Sequence, residues 1–243
     1  MFMKTSIQDI TFNFQNKNVV VVGGSKGIGL EVAKQFVESG AIVTCLSRTR
    51  PELAGVEFVE CDISKPESIK RVFDNICDID FLINVAGTNL CEPIGILNVE
   101  EWDRVMDTNL RSFFLTCKYA IEKMITNSYG RIVNVSSIAG RSKSVVSGVH
   151  YTSSKAGIIG LTRQLSHEVS SKNILVNCVC PSQTLTEMLS ESMTKQQIKQ
   201  LESQIPIGRI ASTVEQAKPI LFLCSEASSY ITGACLDING GQY

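Results

Sequence analysis

The chain has 243 residues, 44% of them hydrophobic and 19% charged, with a formal net charge of −1. That length buries a sizeable core and in an α/β architecture forms one domain, residues 1–243; the near-neutral balance excludes a global basic field for nucleic acid. Apolar runs such as Val19 to Val22 and Ile220 to Cys224 are far too short to cross a bilayer, and the N-terminus lacks the long apolar stretch of a signal peptide, so the expected location is the cytoplasm.

Taken in order, Asn18 to Val22 is a β-branched strand that leads into Gly23-Gly24-Ser25-Lys26-Gly27-Ile28-Gly29 and then a helical pattern from Leu30 to Ser39. A glycine turn between a strand and a helix lets backbone approach a pyrophosphate, while the helix offers unpaired N–H groups and the positive end of its dipole. Ala41 to Leu46 is a second strand, ending in Ser47-Arg48. The end of that strand meets the adenosine ribose in a dinucleotide fold. Arg48 can form charge-assisted, bidentate bonds to a 2′-phosphate there and Lys26 adds a second positive charge, so NADP(H) is expected over NAD(H).

Thr49 to Gly55 is too short for a crossover helix, so a turn is expected before the strand Val56 to Glu60. Asp62 then either receives an adenine amine or caps the helix that starts near Pro66. Asp80 to Val85 is a buried strand running into Ala86-Gly87, small residues that let a ligand come close. One long helix is expected from Val99 to Met124, its apolar face interrupted by Asn109, a polar amide that needs a hydrogen-bonding or functional reason at a packed position. The strand Gly130 to Val135 ends in Ser136-Ser137. After the loop Arg141 to Val149 comes a helix carrying Tyr151 and Lys155, which share a face; a positive charge beside a tyrosine favours its phenolate. Asn173 to Val179 is a strand closed by Pro181, Ser182 to Ser203 a polar, helical cover, Val214 to Ser225 a helix, and Ala234 to Ile238 the last strand.

Strands and helices alternate throughout. The expected class is α/β: a single-domain, Rossmann-type, doubly wound parallel sheet of about seven strands with helices on both faces. Ligands of such a sheet sit outside the carboxyl ends of the strands, which brings the glycine loop, Arg48, Ala86-Gly87, Ser137 and Pro181 to one edge. Nine cysteines are scattered with no Cys-x-x-Cys spacing. Cys178 and Cys180 alternate with Val179 as core residues of a strand do, so the cysteines are read as reduced core filler, with no metal site. His167, inside a helical pattern, is read as a surface or packing residue.

Gly23-x-x-x-Gly27-Ile28-Gly29, Asn84-Val85-Ala86-Gly87, Asn109 within Thr-Asn-Leu, Asn134-Val135-Ser136-Ser137, Tyr151-x-x-x-Lys155, Ile207-Gly208-Arg209 and Ile231-Thr232-Gly233 before the final Gly-Gly together resemble the short-chain dehydrogenase/reductase family over essentially the full length. The resemblance implies that Tyr151 gives its phenolic proton to a carbonyl oxygen, or takes one from an alcohol. Lys155 would lower the phenol's pKa and hold the nicotinamide ribose, Ser137, with Ser136 as the alternative, would hydrogen-bond the reacting oxygen, and Asn109 would hold a water linking Lys155 to solvent. Cofactor contacts are implied for Gly23, Ser25, Lys26, Gly27, Ile28, Gly29, Arg48, Asp62, Asn84, Ala86, Gly87, Tyr151, Lys155, Pro181, Thr184 and Thr186.

The chain departs from the family pattern at Val22, at Val85 and at Ser182, where the family has glycine, and its Ser137 to Tyr151 spacing is one residue longer. Its nearest look is to bacterial 3-oxoacyl-acyl-carrier-protein reductases, which implies an NADPH-dependent carbonyl reductase; the alternative is an alcohol dehydrogenase of a small cyclic or sugar-like substrate. Of two basic positions that such reductases use to dock a carrier, this chain has Ser128 and Lys172. A non-catalytic NADP(H)-binding regulator is a remote third reading, because all four catalytic positions stand. The resemblance further implies a homotetramer or homodimer built on the two long helices, with no nucleic-acid or membrane partner.

Overall fold

From Val19 to Val22 the first strand is buried residue by residue, as a central parallel strand covered on both faces must be. The computed structural model describes residues 11–89, 91–144, 146–186 and 194–242. Its seven strands are β1 (Asn18–Val22), β2 (Ile42–Ser47), β3 (Val56–Glu60), β4 (Phe81–Asn84), β5 (Gly130–Val135), β6 (Ile174–Pro181) and β7 (Cys235–Ile238). They form one sheet in the order β3-β2-β1-β4-β5-β6-β7, parallel at every pairing. The chain winds outward from β1 to β3 and then returns to add β4 on the other side of β1. The crevice at that reversal is where such sheets bind ligands.

The helices are α1 (Gly27–Glu38), α2 (Pro66–Asn75), α3 (Val99–Met106), α4 (Ser112–Asn127), α5 (Val149–Val169), α6 (Lys195–Glu202) and α7 (Thr213–Cys224). Phe36 of α1 and Ile220 and Leu221 of α7 pack with Phe14, Val21, Phe81 and Val133 on one face. On the other, Ile69 and Phe73 of α2 and Cys117 and Met124 of α4 cover Val20, Leu82 and Ile132, while Ile158 and Ile159 of α5 pack on Cys178 and Cys180.

Three expectations change in detail. The helix expected to begin at Leu30 begins at Gly27, so the second half of the glycine loop is already helical. The single helix expected over Val99 to Met124 runs on to Asn127 and is interrupted by a π-helical turn, Asp107–Arg111, between α3 and α4. A π turn holds one extra residue and changes which side chains face inward; here it carries the buried Asn109. Of the cover expected over 182–203, α6 is helical, with a capping box from Thr194 and Gln197; residues 187–193 lie outside the described residues. Leu201 of α6 packs with Ile205 and Ile210 in a small apolar cluster of its own, separate from the sheet's core. Residues 48–55 form turns with no helix, as expected, and β3 and β7 are the two edges.

Candidate active site

At the carboxyl end of β1 the backbone of Gly23 takes φ +91°. A Cβ there would fall 2.7 Å from the Ala86 Cα, so the glycine allows the loops after β1 and β4 to touch across the crevice. Gly29 packs the same way: a Cβ on it would collide with the Gly23 carbonyl oxygen. The N-cap of α1 is Lys26, in extended conformation; no side chain caps the helix and no acidic residue stands in its first turn. Its leading N–H groups and positive dipole end, in the segment that contains Ser25, Gly27 and Ile28, therefore suit a pyrophosphate. Lys26 and Arg48 are exposed on the rim of this crevice.

Asp62 follows β3, within electrostatic reach of Arg48. Its Oδ1 accepts from the Ser64 hydroxyl at 2.7 Å and the Ser64 N–H at 3.1 Å, which holds the carboxyl below its ordinary pKa, the hydroxyl contributing most. The N-cap of α2 is Lys65, so Asp62 does not cap that helix. Its carboxylate instead braces the turn that leads into α2.

The reacting groups gather at the ends of β4 and β5. Lys155, fully buried in α5, donates from Nζ to the Val135 carbonyl at 2.9 Å and lies 5.6 Å from the centre of the Tyr151 ring. The Tyr151 hydroxyl lies within interaction reach of the Ser137 side chain. Ser137 Oγ accepts from the Ala139 N–H at 3.1 Å, which caps the short turn Ile138–Gly140. Ser136 is excluded as the alternative: it is buried and donates to the Lys155 carbonyl at 2.7 Å. The extra residue between Ser137 and Tyr151 therefore does not pull the serine out of reach.

Burial raises the Tyr151 phenol, and the neighbouring Ser137 side chain only partly offsets it. Lys155 is not among the influences that lower this phenol, in contrast to the expectation from the sequence. The lysine's own charge is disfavoured: burial pushes Lys155 down to about 8, against an opposing influence of Cys178 and Cys180. Asn109 is wholly buried. Its Oδ1 accepts from the Thr88 N–H at 2.8 Å, and its Nδ2 donates to the Thr88 carbonyl at 2.9 Å and to Ser154 Oγ at 3.1 Å. Both amide protons are engaged, so only Oδ1 has capacity left for a water. A Cβ on Gly87 would sit 3.3 Å from that Oδ1 and 3.4 Å from Lys155 Nζ, so the glycine keeps open a space bounded by both.

Beyond β6, Pro181 is buried and the Ser182 N–H donates to the Ile238 carbonyl at 3.0 Å. Ser182 is not among the residues with positive φ, so this loop turns without the family's glycine. Thr184 Oγ1 donates to the Ser182 carbonyl at 3.1 Å, which leaves it bracing the loop. Thr186 reaches the glycine loop: a Cβ on Gly27 would lie 3.3 Å from its Cγ2.

One implied contact is corrected. The Asn84 side chain is completely buried and does not line the crevice. Its Nδ2 donates to Asn134 Oδ1 at 2.9 Å and its Oδ1 accepts from Thr116 Oγ1 at 2.9 Å, while Asn134 Nδ2 donates to Thr162 Oγ1 at 3.0 Å. Asn84 points from β4 toward α4, where an unpaired amide would be costly, so it ties β4, β5, α4 and α5 together. Sequence reasoning missed Thr88, Ser154 and the Val135 carbonyl. Ser154 had a visible signal, its place beside Lys155 on the tyrosine helix; the two backbone partners carry none.

A family model described as enoyl-(acyl carrier protein) reductase matches residues 22–242. The chain is 36% identical to the 3-oxoacyl-(acyl-carrier-protein) reductase of Aquifex aeolicus, over 94% of this chain and 98% of that one. Among solved structures, a 3-oxoacyl-(acyl-carrier protein) reductase from Brucella melitensis superposes with a TM-score of 0.91 at 27% identity, covering 100% of this chain and 98% of that one. The aldohexose dehydrogenase of Thermoplasma acidophilum superposes at 0.89 with 31% identity, covering 94% of each. With this match from end to end, and with the tyrosine, lysine, serine and asparagine meeting at the carboxyl edge of the sheet, the chain belongs to the short-chain dehydrogenase/reductase family, oxidoreductases that act on CH–OH groups.

Proposed function

We propose that this protein reduces a carbonyl to an alcohol with NADPH, and that its substrate is a 3-oxoacyl thioester. The observation that carries the reading is the buried Lys155, held by the Val135 carbonyl 5.6 Å from the Tyr151 ring centre, with Ser137 within reach of the Tyr151 hydroxyl. When bound, the nicotinamide supplies the hydride. The chain's own work is to manage the oxygen. Ser137 and Tyr151 point two hydroxyls at one place, where negative charge develops on the reacting oxygen, and Tyr151 delivers the proton. Its raised pKa keeps the phenol protonated and ready to give. Lys155 holds its ammonium under the tyrosine and replaces the lost proton through the space that Gly87 leaves beside Asn109 Oδ1.

Arg48 and Lys26, exposed on the rim where the adenosine end would lie, favour a 2′-phosphate. Carrier docking has one charge for it, since Lys172 is exposed and Ser128 ends α4. A small sugar-like alcohol remains the second reading, favoured by the likeness to the aldohexose dehydrogenase. Residues 182–186 and α6 serve as the substrate-side cover, and assembly as a homodimer or homotetramer uses the long helices, where Phe114 and Ile125 of α4 are exposed. The protein works in the cytoplasm. Among the described residues no helix is long and apolar enough to cross a membrane.

The test is NADPH consumption with a 3-oxoacyl thioester, simple ketones and keto-sugars, on the native chain and on Tyr151→Phe. The expected outcome is turnover with the thioester that the variant loses while it still quenches and binds NADPH. Full activity in Tyr151→Phe sinks the mechanism, and turnover confined to sugars selects the second reading. For the cofactor, Arg48→Ala is expected to lower kcat/KM for NADPH by about tenfold to a hundredfold, the worth of a charged hydrogen bond, and to leave NADH nearly unaffected. A native preference for NADH refutes the role given to Arg48.

A further inference from the structure

Three thiols meet beneath the candidate site. Cys178 and Cys180 leave β6 on the side covered by α5, both fully buried. Cys235 of β7 is the register partner of Cys178 and packs against the same cluster. The Cys178 thiol donates to the Val179 carbonyl at 3.5 Å and lies within interaction reach of the Cys180 and Cys235 thiols. Adjacent strands lie about 4.8 Å apart, within the roughly 4.4–6.8 Å that separates Cα atoms across a disulfide. Cys180, two residues along the same strand, is about 6.6 Å away, at the limit of that range, so Cys235 is the better-placed partner.

The two thiols differ in exposure. Cys178 is sealed, whereas Cys235 is half-buried on an edge strand, with Arg163 of α5 and Arg141 within electrostatic reach. The neighbouring Cys178 thiol holds the Cys235 thiol below its ordinary range and Arg163 and Arg141 act in the same direction, while burial and Asp237, the ion-pair partner of Arg141, oppose them. Buried Cys45 and Cys117 show the opposite behaviour, pushed up by burial to about 11 and about 12.

We propose that Cys235 and Cys178 form a peroxide-reactive pair, Cys235 as the attacking sulfur and Cys178 as the resolving one. The Cys235 thiolate attacks one oxygen of a hydroperoxide; the S–O bond forms as the O–O bond breaks, sulfur gives up two electrons, and the released oxygen leaves as water or alcohol after taking a proton. Cys178 then attacks the sulfenic sulfur, the S–S bond forms, and the hydroxyl departs as water with the Cys178 proton. A dithiol reverses the bond. The cysteines of β6 and β7 are then more than core filler. The disulfide staples the edge strand to the sheet under Lys155, which lies within electrostatic reach of Cys178.

The experiment uses the full chain carrying Cys77→Ser and Cys91→Ser, which removes the two exposed thiols. It is treated with hydrogen peroxide, alkylated, digested and mapped by mass spectrometry, with circular dichroism to verify the fold. The expected result is one linked pair of peptides joining Cys178 to Cys235, lost on treatment with dithiothreitol. Cys235→Ser is expected to abolish the link, and Cys178→Ala to leave a sulfenic acid at Cys235 that dimedone captures. A folded chain that gives no link, a link between other cysteines, or equal oxidation of Cys178 in Cys235→Ser overturns the proposal. Should Cys178→Ala fail to fold, the map of the parent chain and of Cys235→Ser decides.

Discussion

At Gly87 the missing side chain is itself a structural part, because the space it leaves touches both Asn109 Oδ1 and Lys155 Nζ. A water needs polar partners and room, and both are present there. Gly87→Ala fills that space with a methyl group, and kcat is expected to fall on the order of tenfold or more, the range of a lost proton-transfer contribution. Steady-state kinetics in H2O and D2O check it; an unchanged kcat removes the relay from the mechanism. Lys155 carries a second prediction. With a pKa of about 8 when folded against an ordinary 10.5, the unfolded chain binds this proton more tightly. The lysine therefore lowers stability by a constant amount below pH 8, and stability rises with pH between about 8 and 10.5. The shift corresponds to about 3 kcal/mol, of which the Val135 hydrogen bond offsets about 1. Lys155→Met is expected to abolish turnover yet gain about 2 kcal/mol at pH 7 in urea unfolding, with the gain shrinking toward pH 10. A loss of stability at pH 7 contradicts this account.

Among the elements, those made of local pattern were the legible ones. β1, β3 and β5 begin and end at the residues read from the sequence; β1 shows itself as the apolar run of a strand buried in a parallel sheet, whereas β3 is an edge strand whose apolar residues are broken by exposed glutamates. The π turn left only Asn109 as a trace, since one extra residue in a helix leaves the apolar spacing on either side intact. Tyr151, Lys155 and Ser137 were readable from motif spacing. The Asn84 network was not, because its partners Thr116, Asn134 and Thr162 come from three other elements. Asn84→Ala removes hydrogen bonds from both Thr116 and Asn134 in a buried setting, and is expected to cost about 2 kcal/mol. The measure is a lower urea midpoint with an unchanged slope; a variant as stable as the parent returns Asn84 to the list of crevice residues.

For the molecule as a whole, acid should unfold it in part through one carboxylate. Arg209 donates to Glu215 at 2.8 Å and Ser212 completes a capping box with it at the start of α7. Arg209 first, then the Ser212 hydrogen bonds, hold this carboxyl down to about 2. A depressed carboxyl contributes stability that is present above about pH 4.5 and lost as the pH falls through about 2. Glu215→Gln is expected to cost about 1 kcal/mol at neutral pH and to flatten the decline between those values in an acid titration followed by circular dichroism. The sheet also ends in β3, which no crossover helix separates from β2. Its outward row of backbone groups is open to pairing with another chain, and Glu57 and Glu60 stand exposed on that strand. Two like charges on one short edge repel a second copy laid alongside it, so solubility rests partly on these glutamates. Replacing both with valine is expected to turn the edge into a seed for aggregation, seen as light scattering that grows with concentration while the monomer's secondary structure stays intact.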